Sequence, residues 1–208
     1  LAEAITALTG KHHGESDEAR ELGVRIVTFM RQYTDKFSEE TNLNWSCYAT
    51  PAEGLSGKFI KKDQKMFGII KGVTDKEYYT NSYPISIKKK IDIEAPYHKL
   101  CNAGHISYIE VDDSPTGEQI MDIINYAYKN TNISYIGINF HIRYCKNCGS
   151  SINSNEKKCP KCNSIDIQGI SRVTGYLSLD ERFGPGKFEE RADRCSHTGS
   201  NMNNYGVI

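Results

Sequence analysis

Four cysteines fall in two close pairs, Cys145 and Cys148 in CKNC, and Cys159 and Cys162 in CPKC. The spacing is C-x2-C-x10-C-x2-C. Each C-x-x-C turn folds the backbone into a tight knuckle, so its two thiolates reach one ion, and two knuckles complete a tetrahedral four-sulfur shell, the geometry of structural zinc. Gly149, directly after the second cysteine, suits a left-handed backbone position in the first knuckle. Four protein ligands leave no coordination position open for water, so the spacing points to a structural site. Four free thiols, redox pairs, or iron in a rubredoxin-like site are the alternative readings.

The chain has 208 residues, room for one large domain or for a domain and a small module. Its 38% hydrophobic and 25% charged residues fit a soluble globular protein, and the formal net charge of zero gives nucleic-acid binding no electrostatic support. No apolar run approaches the roughly 20 residues of a membrane helix, and no signal peptide is visible. The paired cysteines argue against a secreted disulfide framework and for a reducing, cytoplasmic setting, where the Asn44-Trp45-Ser46 and Asn132-Ile133-Ser134 sequons carry no meaning. Cys47 and Cys101 read as packing residues, and Cys195 as an exposed thiol.

Leu1, Ile5 and Leu8 share a helix face that Gly10 stops. A helix open at Leu1 is expected of a fragment, a split-gene product or a trimmed chain. Ser16 is the expected cap of a helix with Asp17 and Glu18 in its first turn and Leu22, Ile26, Phe29, Met30, Tyr33 and Phe37 at helical spacing. Asn44 to Thr50 read as a strand ended by Pro51; residues 54 to 82 show no clear period; and SIKKKIDIEAPYH alternates in part, as an extended segment would. His105 to Val111 form a strand, Thr116 and Gln119 a capping box for a helix through Ile120, Ile123, Ile124, Ala127 and Tyr128, and Ser134 to Phe140 a second strand. Strand, helix and strand at this spacing make a βαβ unit, hence an α/β fold.

RVTGYL, Arg172 to Leu177, follows the cysteines. Taken alone, it is a glycine turn between two strands or something more specialised. A radical on a peptide α-carbon is stabilised by the amide nitrogen on one side and the carbonyl on the other. Both require a planar centre, which glycine reaches without a side-chain clash. The wider segment RVTGYLSLDERFGPGKFEERADRCSH resembles the C-terminal end of the anaerobic (class III) ribonucleoside-triphosphate reductases, with the cysteine knuckles upstream as in that family. The blocks ALTGKHHGES, TPAEGLSGKF, TDKEYYTNS and EAPYHKLCNAGHISYIE resemble it too, so the likeness spans nearly the whole chain.

That resemblance implies the C-terminal half of a ten-stranded α/β barrel of the glycyl radical type over residues 1–141, a four-cysteine zinc module over 142–168, and a glycyl radical loop and tail over 169–208. Gly175 matches the radical glycine, within a loop that includes Arg172, Val173, Thr174 and Tyr176. It implies an S-adenosylmethionine and iron–sulfur activase as partner, and an N-terminal half supplying the cysteine that becomes a thiyl. It implies a ribonucleoside triphosphate as substrate, and a homodimer as the intact enzyme. Neither Cys47 nor Cys101 matches the thiyl cysteine. YYTNSYPISIKKK is shorter than the family's corresponding stretch, which puts that barrel segment in doubt. A glycyl-radical spare-part protein and a zinc-ribbon interaction module are the competing readings.

Other residues are weaker candidates. His12 and His13 suit metal or phosphate, or a helix-to-loop junction. GLSGKF is not a phosphate loop, because Ala52 replaces its first glycine and Phe59 its Ser/Thr. Thr50, Pro51, Ala52 and Glu53 follow the expected strand, where barrel enzymes place active-site residues. His98 and His105 read equally as buried, hydrogen-bonded histidines or as functional ones.

Overall fold

The computed structural model describes residues 1–49, 58–71, 73–75, 83–111, 114–152, 156–173, 176–192 and 194–197. In chain order these form α1 (Ala2–Thr9), α2 (Asp17–Thr41), α3 (Ile60–Phe67), α4 (Ile87–Leu100), β1 (Ser107–Glu110), α5 (Gly117–Asn130), β2 (Ile136–Asn139), β3 (Ile142–Cys145), β4 (Ile167–Val173), β5 (Tyr176–Leu179), a 3-10 turn (Asp180–Arg182) and α6 (Pro185–Ala192). Thr50 to Glu53, the substrate-side candidates, lie outside the described residues.

The βαβ unit forms as its spacing predicts. β1 and β2 run parallel, with Ser107 opposite Ile136 and Glu110 opposite Asn139. The Thr116 and Gln119 capping box closes in both directions and fixes where α5 begins. Ile123 and Ala127 of α5 pack with Ile109 of β1 and with Ile87 and Ile91 of α4 in one apolar cluster. The sheets of the described residues are this parallel pair and an antiparallel β3-β4-β5 sheet.

Two sequence expectations are corrected. SIKKKIDIEAPYH is helical, not extended: it makes up most of α4, and the Ser86 side chain caps its start by accepting from the Lys89 N–H. The partial alternation has a physical cause, because α4 is buried on two sides. Ile87 and Ile91 face the β1 and α5 cluster, while Tyr97 meets Val27 of α2, so apolar residues recur more densely than a surface helix requires. Residues 44–49 form no strand. Their backbone meets a turn instead: the Ala49 N–H donates to the Gly104 carbonyl (3.1 Å) and the Ala103 N–H to the Cys47 carbonyl (3.0 Å). Cys47 and Cys101 are buried packing residues, and burial, with Cys47 alongside, pushes the Cys101 thiol up to about 11.

α1 and α2 start and stop as expected, at Gly10 (φ 73°) and with the Ser16 side chain accepting from the Ala19 N–H. Their buried faces are narrower than the spacing implied. In α1 only Ile5 is buried, and α2 buries Ala19, Gly23 and Val27 while Phe29 and Tyr33 remain exposed. Small residues win because the helices approach closely: a Cβ on Gly23 would lie 2.6 Å from Tyr97 Oη and 2.7 Å from Ile5 Cδ1.

Between these helices and β1 lies a polar junction. Lys90 and Glu94 of α4 form an ion pair. His12 stacks on His13 (4.2 Å) and on Tyr83 (4.0 Å), and His98 packs edge-on to His105 (4.5 Å) while its Nε2 bonds Ser107 Oγ at 2.8 Å. His197 brackets the end of β1, its N–H donating to the Glu110 carbonyl and its Nδ1 accepting from the Glu110 N–H, both at 2.9 Å. Burial lowers His12, His98 and His197 to about 4, and lowers His13 and His105 as well. The junction thus favours neutral imidazoles; His98, hydrogen-bonded to Ser107, fits the buried reading, whereas His105 is half-buried with neither ring nitrogen partnered among the described residues. Below the ordinary value of 6.5 an unfolded chain takes up protons that the folded chain refuses until about 4. Stability is therefore full above pH 6.5 and falls as pH drops toward 4. Urea midpoints measured across that range should fall less steeply for His197→Gln than for the unaltered chain. Equal slopes would contradict this assignment.

Candidate functional site

The four cysteines converge as their spacing requires. The Sγ atoms of Cys145, Cys148, Cys159 and Cys162 all lie within 4.8 Å of one another, with Cys145–Cys162 and Cys148–Cys159 each at 3.5 Å. Cys145 and Cys159 are fully buried, and Ile152 and Ile167 pack around the cluster. The two knuckles are built alike. The Gly149 N–H donates to the Cys145 carbonyl and the Asn163 N–H to the Cys159 carbonyl, both at 2.8 Å, and the two residues share a left-handed backbone at φ 70° and 58°. Asparagine tolerates that conformation almost as glycine does, which is why only the Gly149 half was evident in the sequence. Burial pushes the Cys159 thiol up to about 11, whereas hydrogen bonding to Ser150 pulls Cys148 down to about 6. A cation in the cage would remove the proton from every thiol. The all-sulfur, closely spaced and half-sealed donor set fits a thiophilic ion such as zinc.

β4 links this cluster to RVTGYL. At its start Ile167 pairs with Cys145 on β3, and at its end Val173 pairs with Tyr176 on β5. Thr174 and Gly175, between the paired residues, lie outside the described set. Arg172 is one ladder position from the end of β4, opposite Leu177. Its guanidinium lies 3.9 Å from the centre of the Tyr108 ring, and its Nη2 donates to Tyr108 Oη at 2.7 Å.

A second tie holds the far end of β5. His141 Nε2 and Arg191 Nη1 each donate to Asp180 Oδ2 at 2.8 Å. Burial opposes the charge on Asp180, but hydrogen bonding to Ser171 and His141, with the Arg191 charge alongside, holds its carboxyl below the usual carboxylate range. The carboxylate rests on β4 where there is no side chain, since a Cβ on Gly169 would lie 1.9 Å from Asp180 Oδ2. Sequence reasoning missed Tyr108, His141, Asp180 and Arg191. No motif marks them, because their partners are distant in the chain.

Both ties border a cavity of about 170 Å³ at the C-terminal ends of β1 and β2, lined by Glu110, Asn139, His141, Arg172, Arg191 and Arg194 among others. Ligands of parallel α/β sheets bind at such strand ends. Burial pushes the Glu110 carboxyl up, although Asn139 Nδ2 donates to it at 2.6 Å. Cys195, expected to be exposed, is half-buried and lines the same cavity. His12, His13, His98 and His105 belong to the junction described above and do not join the four-cysteine cluster. No described helix is long and apolar enough to cross a membrane.

The family model for anaerobic ribonucleoside-triphosphate reductase matches residues 1–197. The chain is 39% identical to the enzyme of that name from Escherichia coli K12 over 217 aligned residues, covering 96% of this chain and 30% of that protein. It is 35% identical to the enterobacteria phage T4 enzyme, over 86% of this chain and 32% of that one. Among solved structures, one described as an anaerobic ribonucleotide reductase superposes with a TM-score of 0.70 at 19% identity, covering 88% of this chain and 29% of that one. The Thermotoga maritima anaerobic ribonucleotide reductase with glycerol in its active site superposes with a TM-score of 0.66 at 19% identity, over 85% of this chain and 28% of that one. These likenesses establish a mixed α/β fold shared with those enzymes. The chain spans about 30% of the length of the curated relatives it matches. Matched from residue 1 to residue 197, it belongs to the anaerobic ribonucleoside-triphosphate reductase family.

Proposed function

We propose that this chain is the radical-storing, C-terminal part of an anaerobic reductase that converts ribonucleoside triphosphates to deoxyribonucleoside triphosphates. The observation that carries the reading is the match over residues 1–197, which includes both the cysteine cluster and RVTGYL. The helices and the βαβ unit upstream weigh against a spare-part radical protein or a bare zinc-ribbon module, neither of which needs them.

In this reading Gly175 holds the radical. An S-adenosylmethionine and iron–sulfur activase removes one α-hydrogen, and the remaining carbon becomes planar between its two amides. The radical then takes a hydrogen atom from a cysteine of the N-terminal half, restoring glycine and leaving a thiyl to attack the substrate ribose. Residues 1–141 supply half of the barrel, residues 142–168 the zinc module and residues 169–208 the radical loop and tail. The working enzyme is a cytoplasmic homodimer.

Cys145, Cys148, Cys159 and Cys162 would hold zinc. Zinc with four thiolates supplies a fixed tetrahedral node and no open position for chemistry. The protein should then carry one zinc per chain, and chelation should expose all four thiols and unfold residues 142–168. Elemental analysis with thiol titration checks this. Zinc well below one equivalent, with the thiols freely reactive, would contradict it.

Anaerobic activation of the complete reductase, followed by exposure to air, should cleave the backbone at Gly175 and leave a short piece beginning near Tyr176. Gly175→Ala should remove both the radical and the cleavage, because a methyl group opposes planarity and blocks the approach to the hydrogen. Gly184 and Gly186 are nearby controls that should not be cleaved. A Gly175→Ala protein that still forms the radical and is still cut in air would overturn the assignment.

A further inference from the structure

The side chain of Arg172 ties RVTGYL to another part of the fold. Its guanidinium is held by an aromatic ring, with Nη2 donating to Tyr108 Oη at 2.7 Å. Its Nε is sealed from solvent and has no acceptor among the described residues. A buried guanidinium nitrogen without a partner is costly, so a specific arrangement must hold the group there. Stacking on a tyrosine face supplies part of that holding energy, more when the pair is shielded from water.

The strand opposite makes the seat. Tyr108 and Gly137 face each other in the β1–β2 ladder. A Cβ at Gly137 would lie 2.8 Å from Tyr108 Cδ1, 2.9 Å from Cε1 and 3.0 Å from Arg172 Nη1. The Cδ1–Cε1 edge of the ring therefore lies close over the bare glycine backbone, and the guanidinium lies against both. Any side chain at Gly137 would lift the ring and push the guanidinium away.

We propose that Tyr108 and Gly137 are positioning residues for the radical loop, acting through Arg172. This rests on the reading of Gly175 as the radical site. Gly175 is three residues beyond Arg172, and three residues of chain reach at most about 11 Å. Seating Arg172 on β1 and β2 thus ties the loop to the parallel strands at whose C-terminal ends the cavity lies. The cysteine cluster sits at the other end of β4, so it fixes the strand without fixing the loop's approach to those strands.

The test uses the complete reductase with its activase, and reads radical per chain by electron paramagnetic resonance beside zinc content and circular dichroism. Tyr108→Leu and Gly137→Ala should each lower radical yield about tenfold, with zinc content unchanged. Tyr108→Phe keeps the ring and loses the acceptor, so it should recover part of the yield, to about threefold below the unaltered enzyme. In an Arg172→Met background, Tyr108→Leu should cause no further loss, because both changes break one unit. A purely packing role for Tyr108 would instead give losses that add. If Tyr108→Leu does not fold, Tyr108→Phe and the cycle of Tyr108→Phe with Arg172→Met carry the test. Unchanged yield in the folded variants, or additive losses, would overturn the proposal. Absence of radical from the unaltered enzyme would instead overturn the reading of Gly175.

Discussion

The downstream half of the structure depends on one strand. β4 begins in the cysteine cluster, where Ile167 pairs with Cys145, and ends at Val173, paired with Tyr176 across RVTGYL. Because strand side chains alternate in direction, a one-residue slip in either ladder would turn Arg172 away from Tyr108. Four thiols within 4.8 Å of one another pin the register at one end, and an ion bound there would make that pin rigid.

Along the same strand and its neighbours two polar ties share one design, a charged group lying over a glycine. The Arg172 guanidinium and Tyr108 ring lie on Gly137, and the Asp180 carboxylate, held by His141 and Arg191, lies on Gly169. The first tie joins the β4–β5 hairpin to the parallel pair, and the second joins it to α6. Between them they frame the cavity at the strand ends, with Glu110 and Asn139 on its β1 and β2 side. If the loop stores a radical as proposed, such attachment fixes its neighbours before any chemistry begins.

Local signals in the sequence were faithful where the physics is local. The Ser16 cap, the Gly10 stop, the Thr116 and Gln119 box and the cysteine knuckles are each decided within a few residues, and each forms. The α4 segment misled because its apolar pattern serves two neighbours, Val27 on α2 and the β1–α5 cluster, whose positions no local window contains. The α2 aromatics misled for the opposite reason: Gly23 brings Tyr97 so close that small residues, not Phe29 or Tyr33, form the contact. Around the site, the cysteines and RVTGYL were legible as motifs. Tyr108, Asp180 and Asn163 were not, because a supporting residue shows itself only through the partner it meets.

The proposed storage of an unpaired electron on the Gly175 α-carbon is open to direct measurement. The complete reductase, activated without oxygen, should give an electron paramagnetic resonance doublet, since the planar carbon keeps a single α-hydrogen. The same protein produced with α-deuterated glycine should show that splitting collapse to one narrow line. A doublet that survives deuteration would place the radical on a residue other than glycine and contradict the role given to Gly175.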